Sequence, residues 1–275
     1  MNIKRIAIIG TGSMGSAILS GLLKSGFNPD NVSVSTKSTA SAERLADELG
    51  VLSFAMENGE DANQMAVAGA DVVVIAVKPA YVIETLSDIA DSLDDDALVI
   101  SVAAGITTKA MEETLPDDVS VVRAMPNTPA IVGTAVTGIS ADSRADKDAI
   151  ETAVQLFKTV GTSIVLDEAK IDALSTISGS GPAYVFYLIE QLTAVAKKMG
   201  FSDNEAAQLV NETFLGSAQL LIESGRSPQE LRKQVTSPNG TTEKAIAVMS
   251  EANLEKMFTE ATAAALARAK ELAGE

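Results

Sequence analysis

Short apolar runs alternate with helically spaced apolar residues over the first 166 positions, and only helical patterns follow. The runs predict buried strands at Ile6–Ile9, Val32–Ser35, Val72–Val77, Leu98–Val102, Val119–Ala124, Ala135–Ile139 and Ser163–Val165. Helical patterns separate them at Ser16–Lys24, Ala40–Leu49, Tyr81–Ser92 and Ala145–Lys158. This order predicts an α/β fold, in which a doubly wound, mainly parallel sheet over residues 1–166 precedes an all-α domain over 167–275.

The helical half carries clear start and stop signals. Pro182 fits the start of a helix and Gly200 its end, Gly225 ends the next helix, and two capping boxes follow the spacing of Ser202 with Glu205 and Ser227 with Glu230. The segment Ala183–Met199 is apolar on most faces, which a small bundle cannot easily bury. We therefore expect a second subunit to cover it; the alternative is the central helix of a monomeric bundle.

A glycine-rich turn directly follows the first strand. Gly10 suits the tight turn, Gly12 lets backbone approach a pyrophosphate, and Gly15 permits close packing of the following helix. The N-terminus of that helix favours anions. Strand, turn and helix together predict a dinucleotide site, although glycine-rich turns also occur in loops without a ligand.

The end of the second strand bears on the choice of cofactor. A site for NAD places a carboxylate there for the ribose 2′-hydroxyl, whereas a site for NADP places neutral donors or a cation there. This chain has Ser35, Thr36 and Lys37, and Asp30 lies at the wrong end of the strand. The sequence predicts that NADPH is preferred, with NADH as the alternative.

The composition excludes several classes of partner and of catalytic site. The net charge of −16 argues against nucleic acid and anionic membranes as partners. The lack of cysteine and histidine excludes thiolate nucleophiles, Ser-His arrangements and most metal sites, so no metal is expected. No apolar run is long enough for a membrane helix, and the first strand starts too near Met1 for a signal peptide, so we expect a cytoplasmic protein.

Four further motifs carry candidate chemistry. Two follow strands, Ala76–Pro79 and Arg123–Pro129, and two lead into helices, Ser178–Tyr184 and Thr236–Thr242. The first pair would lie at the ligand edge of the sheet, although Lys78 could simply be solvated and Arg123 could brace its own loop. The small residues of the second pair could bind a carboxylate through free backbone amides, or could be ordinary helix caps.

Together the motifs GTGSMG, AVKP, RAMPNTP, SGSGPAY and TSPNGTT resemble the pyrroline-5-carboxylate reductase family from end to end. The resemblance implies NAD(P)H-dependent reduction of 1-pyrroline-5-carboxylate, a cyclic imine, to L-proline. It also implies an N-terminal Rossmann domain and a helical domain that interlocks two subunits. Dimers of this kind would assemble further, into a decamer of dimers.

The resemblance assigns site residues one by one. The pyrophosphate would be held by Gly10, Thr11, Gly12, Ser13 and Met14, and the adenosine ribose region by Ser35, Thr36, Lys37 and Asn63. Towards the nicotinamide it places Ala76, Val77, Lys78, Asn127 and Thr128. The substrate would contact Gly240, Thr241, Thr242 and Glu168, with Thr242 orienting the imine nitrogen as the catalytic residue. Asn239 replaces a family glycine, and asparagine tolerates the left-handed conformation better than most residues.

Two other functions remain open at this stage. One is a related imine reductase or β-hydroxyacid dehydrogenase, although Ser178–Glu190 lacks the lysine that the latter would carry. The other is a non-catalytic NADP-binding sensor, which would not need the TSPNGTT loop.

Overall fold

The computed structural model describes residues 3–273, and the side chains of residues 3–271. Its contacts divide the chain into two compact units, a sheet unit that ends at Ser180 and a helical unit of Gly181–Ala264, with the C-terminal end of the last helix grouped with the former. Residues 167–180, which the sequence analysis assigned to the helical domain, thus group with the sheet.

The sheet unit contains eight strands in the order β3-β2-β1-β4-β5-β6-β7-β8. They are β1 Ile6–Ile9, β2 Val32–Thr36, β3 Leu52–Ala55, β4 Val72–Ile75, β5 Leu98–Ser101, β6 Ser120–Met125, β7 Ala135–Ala141 and β8 Gly161–Val165. The first six are parallel, β7 is antiparallel to β6, and β8 is parallel to β7. The doubly wound, mainly parallel sheet is therefore confirmed.

In its described residues the sheet unit has seven complete α-helices: α1 Ser13–Lys24, α2 Thr39–Leu49, α3 Ala62–Val67, α4 Val82–Ile89, α5 Thr108–Glu112, α6 Lys147–Lys158 and α7 Ile171–Leu174. The sequence pattern does not predict β3, α3 and α5. The β3 segment is interrupted by Ser53 and is only partly buried, so it lacks the continuous apolar run of β1 or β4. The α3 and α5 helices have six and five residues, which is too few to show helical apolar periodicity. The segment Ser175–Gly179 forms a π-helical turn, and it includes the first two residues of the Ser178–Tyr184 motif, which was expected as a loop.

Successive strand residues face two separate apolar cores. On one face Ile8, Val74 and Ile100 pack with residues such as Ile18 of α1 and Phe157 of α6. On the other, residues including Ile9, Ile75 and Val99 pack with Leu86 of α4 and Met111 of α5. Because both faces are covered, β1 and β4 are buried at every position.

The helical unit contains α8 Gly181–Lys198, α9 Asp203–Ser224, α10 Pro228–Gln234, α11 Thr241–Glu251 and most of α12 Leu254–Ala273. Both predicted capping boxes are present, at the starts of α9 and α10. None of the α8 side chains is buried by the described chain, and Phe186 is 65% exposed. Among residues 3–273 no helix is both long and apolar enough to span a membrane.

Candidate active site

The ends of three central strands meet at the glycine-rich turn. The amide of Gly10 donates to the carbonyl of Ser35 at 3.1 Å, and the amide of Ala76 donates to the carbonyl of Ile9 at 2.8 Å. These bonds place the turn between the carboxyl ends of β2 and β4. The fold thus brings the first predicted motif beside the second, which is where a doubly wound sheet binds its ligand.

The turn has the close packing that its glycines predict. Gly10 has a φ of +89°, and a Cβ there would lie 3.0 Å from the backbone of Ala76 and from the side chain of Val77. A Cβ at Gly15 would overlap the carbonyl oxygen of Gly10. At Gly12, by contrast, no described atom lies within 4 Å of the Cβ position. The backbone is therefore packed tightly behind the turn and open in front of it.

Two further observations fit a pyrophosphate in front of the turn. Gly12 precedes α1 and provides no side-chain cap, so a ligand anion can interact with the helix N-terminus. The hydroxyl of Thr11 is shielded from solvent and has no hydrogen-bond partner among the described residues. A buried hydroxyl without a partner is costly, and a bound ligand would explain it. The exposed Ser13 and half-buried Met14 complete the predicted motif.

At the carboxyl end of β2, hydrogen bonds within the protein already occupy some of the predicted cofactor residues. The Ser35 hydroxyl donates to Asn63 Oδ1 at 2.7 Å, and Asn63 Nδ2 donates to Asp88 at 3.0 Å. Both Ser35 and Asn63 are buried, so this pair links β2 to α3 and α4. Thr36 is buried beside them, and Lys37 is exposed.

A short helical turn at Met56–Asn58, which follows the missed strand β3, lies against this end of β2. The amide of Glu57 donates to the carbonyl of Lys37 at 3.2 Å. In return, the amide of Thr39 donates to Glu57 Oε2 at 3.0 Å, and the Thr39 hydroxyl donates to Asn58 Oδ1 at 2.7 Å. Sequence reasoning missed Glu57 because nothing along the chain placed it beside β2.

The Arg123–Pro129 motif includes the end of β6 and contacts the helical turn Ser175–Gly179. Asn127 Nδ2 donates to the carbonyl of Ser178 at 2.9 Å, and Asn127 Oδ1 accepts from the amide of Val136 at 3.0 Å. Asn127 is buried, so the structure gives it a clamping role in addition to any ligand contact. Thr128 is exposed in a helical turn that packs against α1, and Lys78 is exposed after β4.

Arg123 does not brace its own loop. Its side chain is buried in the sheet unit, where it contacts Asp172 at 2.6 Å and Glu168 at 3.5 Å. The Glu168 carboxylate also accepts from the amide and the hydroxyl of Thr108, at 2.7 and 2.6 Å. One arginine thus ties the segment after β8 to β6, and Glu168 ties it to α5. That Glu168 also contacts substrate stays a prediction.

In the helical unit, the TSPNGTT motif forms the turn that starts α11. Asn239 has a φ of +58°, the left-handed conformation that its asparagine side chain was expected to tolerate. Its amide donates to Glu243 at 2.9 Å, which closes the turn. Gly240 precedes α11 without a side-chain cap, and Thr241 and Thr242 are its first two residues. The turn therefore presents a helix N-terminus and two hydroxyls.

Comparisons with known proteins cover the whole chain. The pyrroline-5-carboxylate reductase of Pseudomonas aeruginosa is 39% identical over 274 residues, which are 99% of this chain and 98% of the relative. The chain belongs to the pyrroline-5-carboxylate reductase family. The enzyme of Corynebacterium melassecola is 37% identical over 97% of this chain and 98% of its own length.

Solved structures of pyrroline-5-carboxylate reductases have the same fold. The enzyme of Coxiella burnetii matches with a TM-score of 0.92 and 38% identity, covering 98% of this chain and 99% of its own. The Plasmodium falciparum enzyme, solved with NADP bound, matches with a TM-score of 0.84 and 25% identity over 99% and 98% of the two chains.

Two family models match this chain, one in its N-terminal part and one in its C-terminal part. Residues 5–105 match the model of the NADP oxidoreductase, coenzyme F420-dependent, and residues 168–272 match that of pyrroline-5-carboxylate reductase dimerisation. The second match starts close to the domain boundary expected from sequence. It includes the exposed helix α8, so the expectation that the chain self-associates is confirmed.

Proposed function

We propose that this protein reduces 1-pyrroline-5-carboxylate to L-proline with NAD(P)H, the final step of proline biosynthesis. The observation that carries the proposal is the family membership, with 39% identity over 99% of the chain. The glycine-rich turn supports it, because its open front and packed back fit a dinucleotide.

For the cofactor, the proposal assigns the pyrophosphate to Gly10, Gly12 and the start of α1, and the adenosine ribose to Thr36 and Lys37. When bound, NAD(P)H supplies the hydride. Ala76 to Lys78 and Thr128 would line its nicotinamide side, while Asn63 and Asn127 hold the walls of the site through their hydrogen bonds. We propose that NADPH is preferred, because β2 itself ends without a carboxylate.

For the substrate, the proposal assigns its carboxylate to Gly240, Thr241 and the start of α11, where uncapped amides favour an anion. Thr242 orients the imine nitrogen by a hydrogen bond. The cyclic imine is basic enough to gain a proton without a strong protein acid, which agrees with a chain that has no histidine. Catalysis then rests mainly on positioning and on charge stabilisation.

We also propose that dimers assemble further, up to the decamer of dimers that the family resemblance suggests. The exposed apolar surface of α8 accounts for the dimer only. Light scattering of the full chain would distinguish a dimer from a larger assembly.

The direct test is NADPH oxidation on addition of pyrroline-5-carboxylate, repeated with Thr242→Val. Valine keeps the shape and removes the hydroxyl, and loss of one hydrogen bond to a charged group costs about 1.5–3 kcal/mol. We expect kcat/KM to fall roughly ten- to hundredfold, with little change in NADPH affinity.

A matched control is Thr259→Val, which removes an exposed hydroxyl that bonds only the preceding turn of α12; it should leave kcat/KM unchanged. If the wild type does not oxidise NADPH with this substrate, the proposed reaction is wrong. If Thr242→Val lowers only the melting temperature, Thr242 is a structural residue.

A further inference from the structure

The carboxylate of Glu57 occupies a position at the β2 end that the sequence left without any acid. Its Oε2 accepts from the amide of Thr39, the first residue of α2, at 3.0 Å. Two more bonds fix the segment that carries it, from the Glu57 amide to Lys37 and from the Thr39 hydroxyl to Asn58. Glu57 is therefore held beside the β2 end by three hydrogen bonds in its own segment.

This location is the one that separates NAD from NADP in doubly wound folds. The adenosine ribose lies at the end of the second strand, about 20 residues after the glycine-rich turn, where a carboxylate bonds its 2′-hydroxyl or a cation meets its 2′-phosphate. Twenty residues after Gly15 is Ser35, and Lys37 and Thr39 lie two and four residues further along the chain. In this chain the acid arrives from the neighbouring strand β3 rather than from β2.

We propose that Glu57 reduces the preference of this chain for NADPH, accepting the 2′-hydroxyl of NADH and opposing the 2′-phosphate of NADPH. The inference rests on the proposed dinucleotide site. It means that the NADPH preference favoured by Thr36 and Lys37 is reduced by an acid on the adjacent turn, which lies outside the motifs that the family resemblance rests on.

Two physical effects act in the same direction. A phosphate at the start of α2 competes with Glu57 for the Thr39 amide, and its charge is repelled by the carboxylate. Glu57 is exposed, so solvent and salt screen the repulsion. For a doubly charged phosphate a few ångströms away, the expected discrimination is about five- to tenfold at low salt.

The test is to measure the dissociation constants of NADP⁺ and NAD⁺ by calorimetry on the full-length protein, without substrate. Glu57→Gln keeps an acceptor for the Thr39 amide and removes only the charge. We expect NADP⁺ to bind about five- to tenfold more tightly relative to NAD⁺ than in the wild type. Glu57→Lys should move the ratio further in the same direction, and added salt should reduce both shifts.

The matched control is Glu60→Gln, which removes the same charge from an exposed position three residues along the same loop. Its NADP⁺/NAD⁺ ratio should stay within about twofold of the wild type. The inference is overturned if Glu57→Gln leaves the ratio unchanged, if it weakens NADP⁺ binding, or if Glu60→Gln shifts the ratio equally. Because the readout is binding alone, it is separate from failure of the proposed reaction, which the pyrroline-5-carboxylate assay reports.

Discussion

The sheet unit and the helical unit bury their apolar residues in different ways. In the sheet unit, β1 and β4 are covered on both faces by helices of the same chain. In the helical unit, α8 carries apolar residues on most faces, yet the described chain buries none of its side chains. The first unit completes its core by itself. In the second unit, the apolar residues of α8 stay exposed unless another subunit covers them.

The two units also match different family models, over residues 5–105 and 168–272. The model that matches the helical unit is one of dimerisation. A surface that must fit a second copy is constrained at exposed positions as well as in its core, because a twofold interface is self-complementary.

The largest effect should come from breaking the buried charge network of the sheet unit. Arg123→Met leaves the Glu168 and Asp172 carboxylates without their cation. Breaking a fully buried pair costs about 3–5 kcal/mol, which is the upper bound here because the two carboxylates are 28% and 19% exposed. Urea unfolding of the full chain measures the loss. Arg44→Met is the matched control, because its pair with Glu48 is exposed and contributes at most about 1 kcal/mol. Equal losses for the two variants would contradict the network's role.

The next largest effect should come from a charge on the exposed apolar surface of α8. Phe186→Asp places a charge on the exposed apolar face of α8, and we expect the dimer dissociation constant to rise by about a hundredfold, as for an interface hot spot. Sedimentation at a series of concentrations measures it. Lys147→Gln, which also lowers the net charge by one but lies at the exposed start of α6, should leave the dimer intact. A full-length wild-type monomer at micromolar concentration would refute the comparison itself.

The smallest effect is local to the helical unit. Ser202→Ala removes the cap of α9 and should cost about 1 kcal/mol, measured by thermal unfolding, whereas Ser217→Ala within the same helix should not destabilise. The hydrogen bonds from Ser202 hold the pKa of Glu205 below its ordinary value of 4.5. This contribution is therefore present above about pH 4.5 and lost as the pH falls through the lower folded pKa. A Ser202→Ala deficit that persists undiminished at a pH low enough to protonate Glu205 in the folded protein would contradict the pairing.

Much of this architecture could be predicted from local patterns. The glycine-rich turn, both capping boxes and seven of the eight strands follow from signals within a few residues of each other. The β3 strand could not be predicted, because Leu52–Ala55 is interrupted by Ser53 and only partly buried. That omission also concealed Glu57, whose place depends on the pairing of β3 with β2.

The partners of site residues were harder to predict than the residues themselves. Arg123 and Asn127 were both singled out, but their contacts with Asp172 and Ser178 lie 49 and 51 positions away. A single sequence has no local signal for such pairs, since they arise only when α7 and the following turn fold back over the sheet.

The position of β1 in the sheet order has a consequence for biosynthesis. Of the eight described strands it is synthesised first, yet it lies between β2 and β4, and β4 begins only at Val72. At roughly 5–20 residues per second, the apolar strand waits about 3–13 s for its second neighbour. Lys4 and Arg5 directly precede it. Charged residues beside an apolar strand oppose its pairing with another chain, so Lys4 and Arg5 should lower the tendency of the nascent chain to aggregate during that interval.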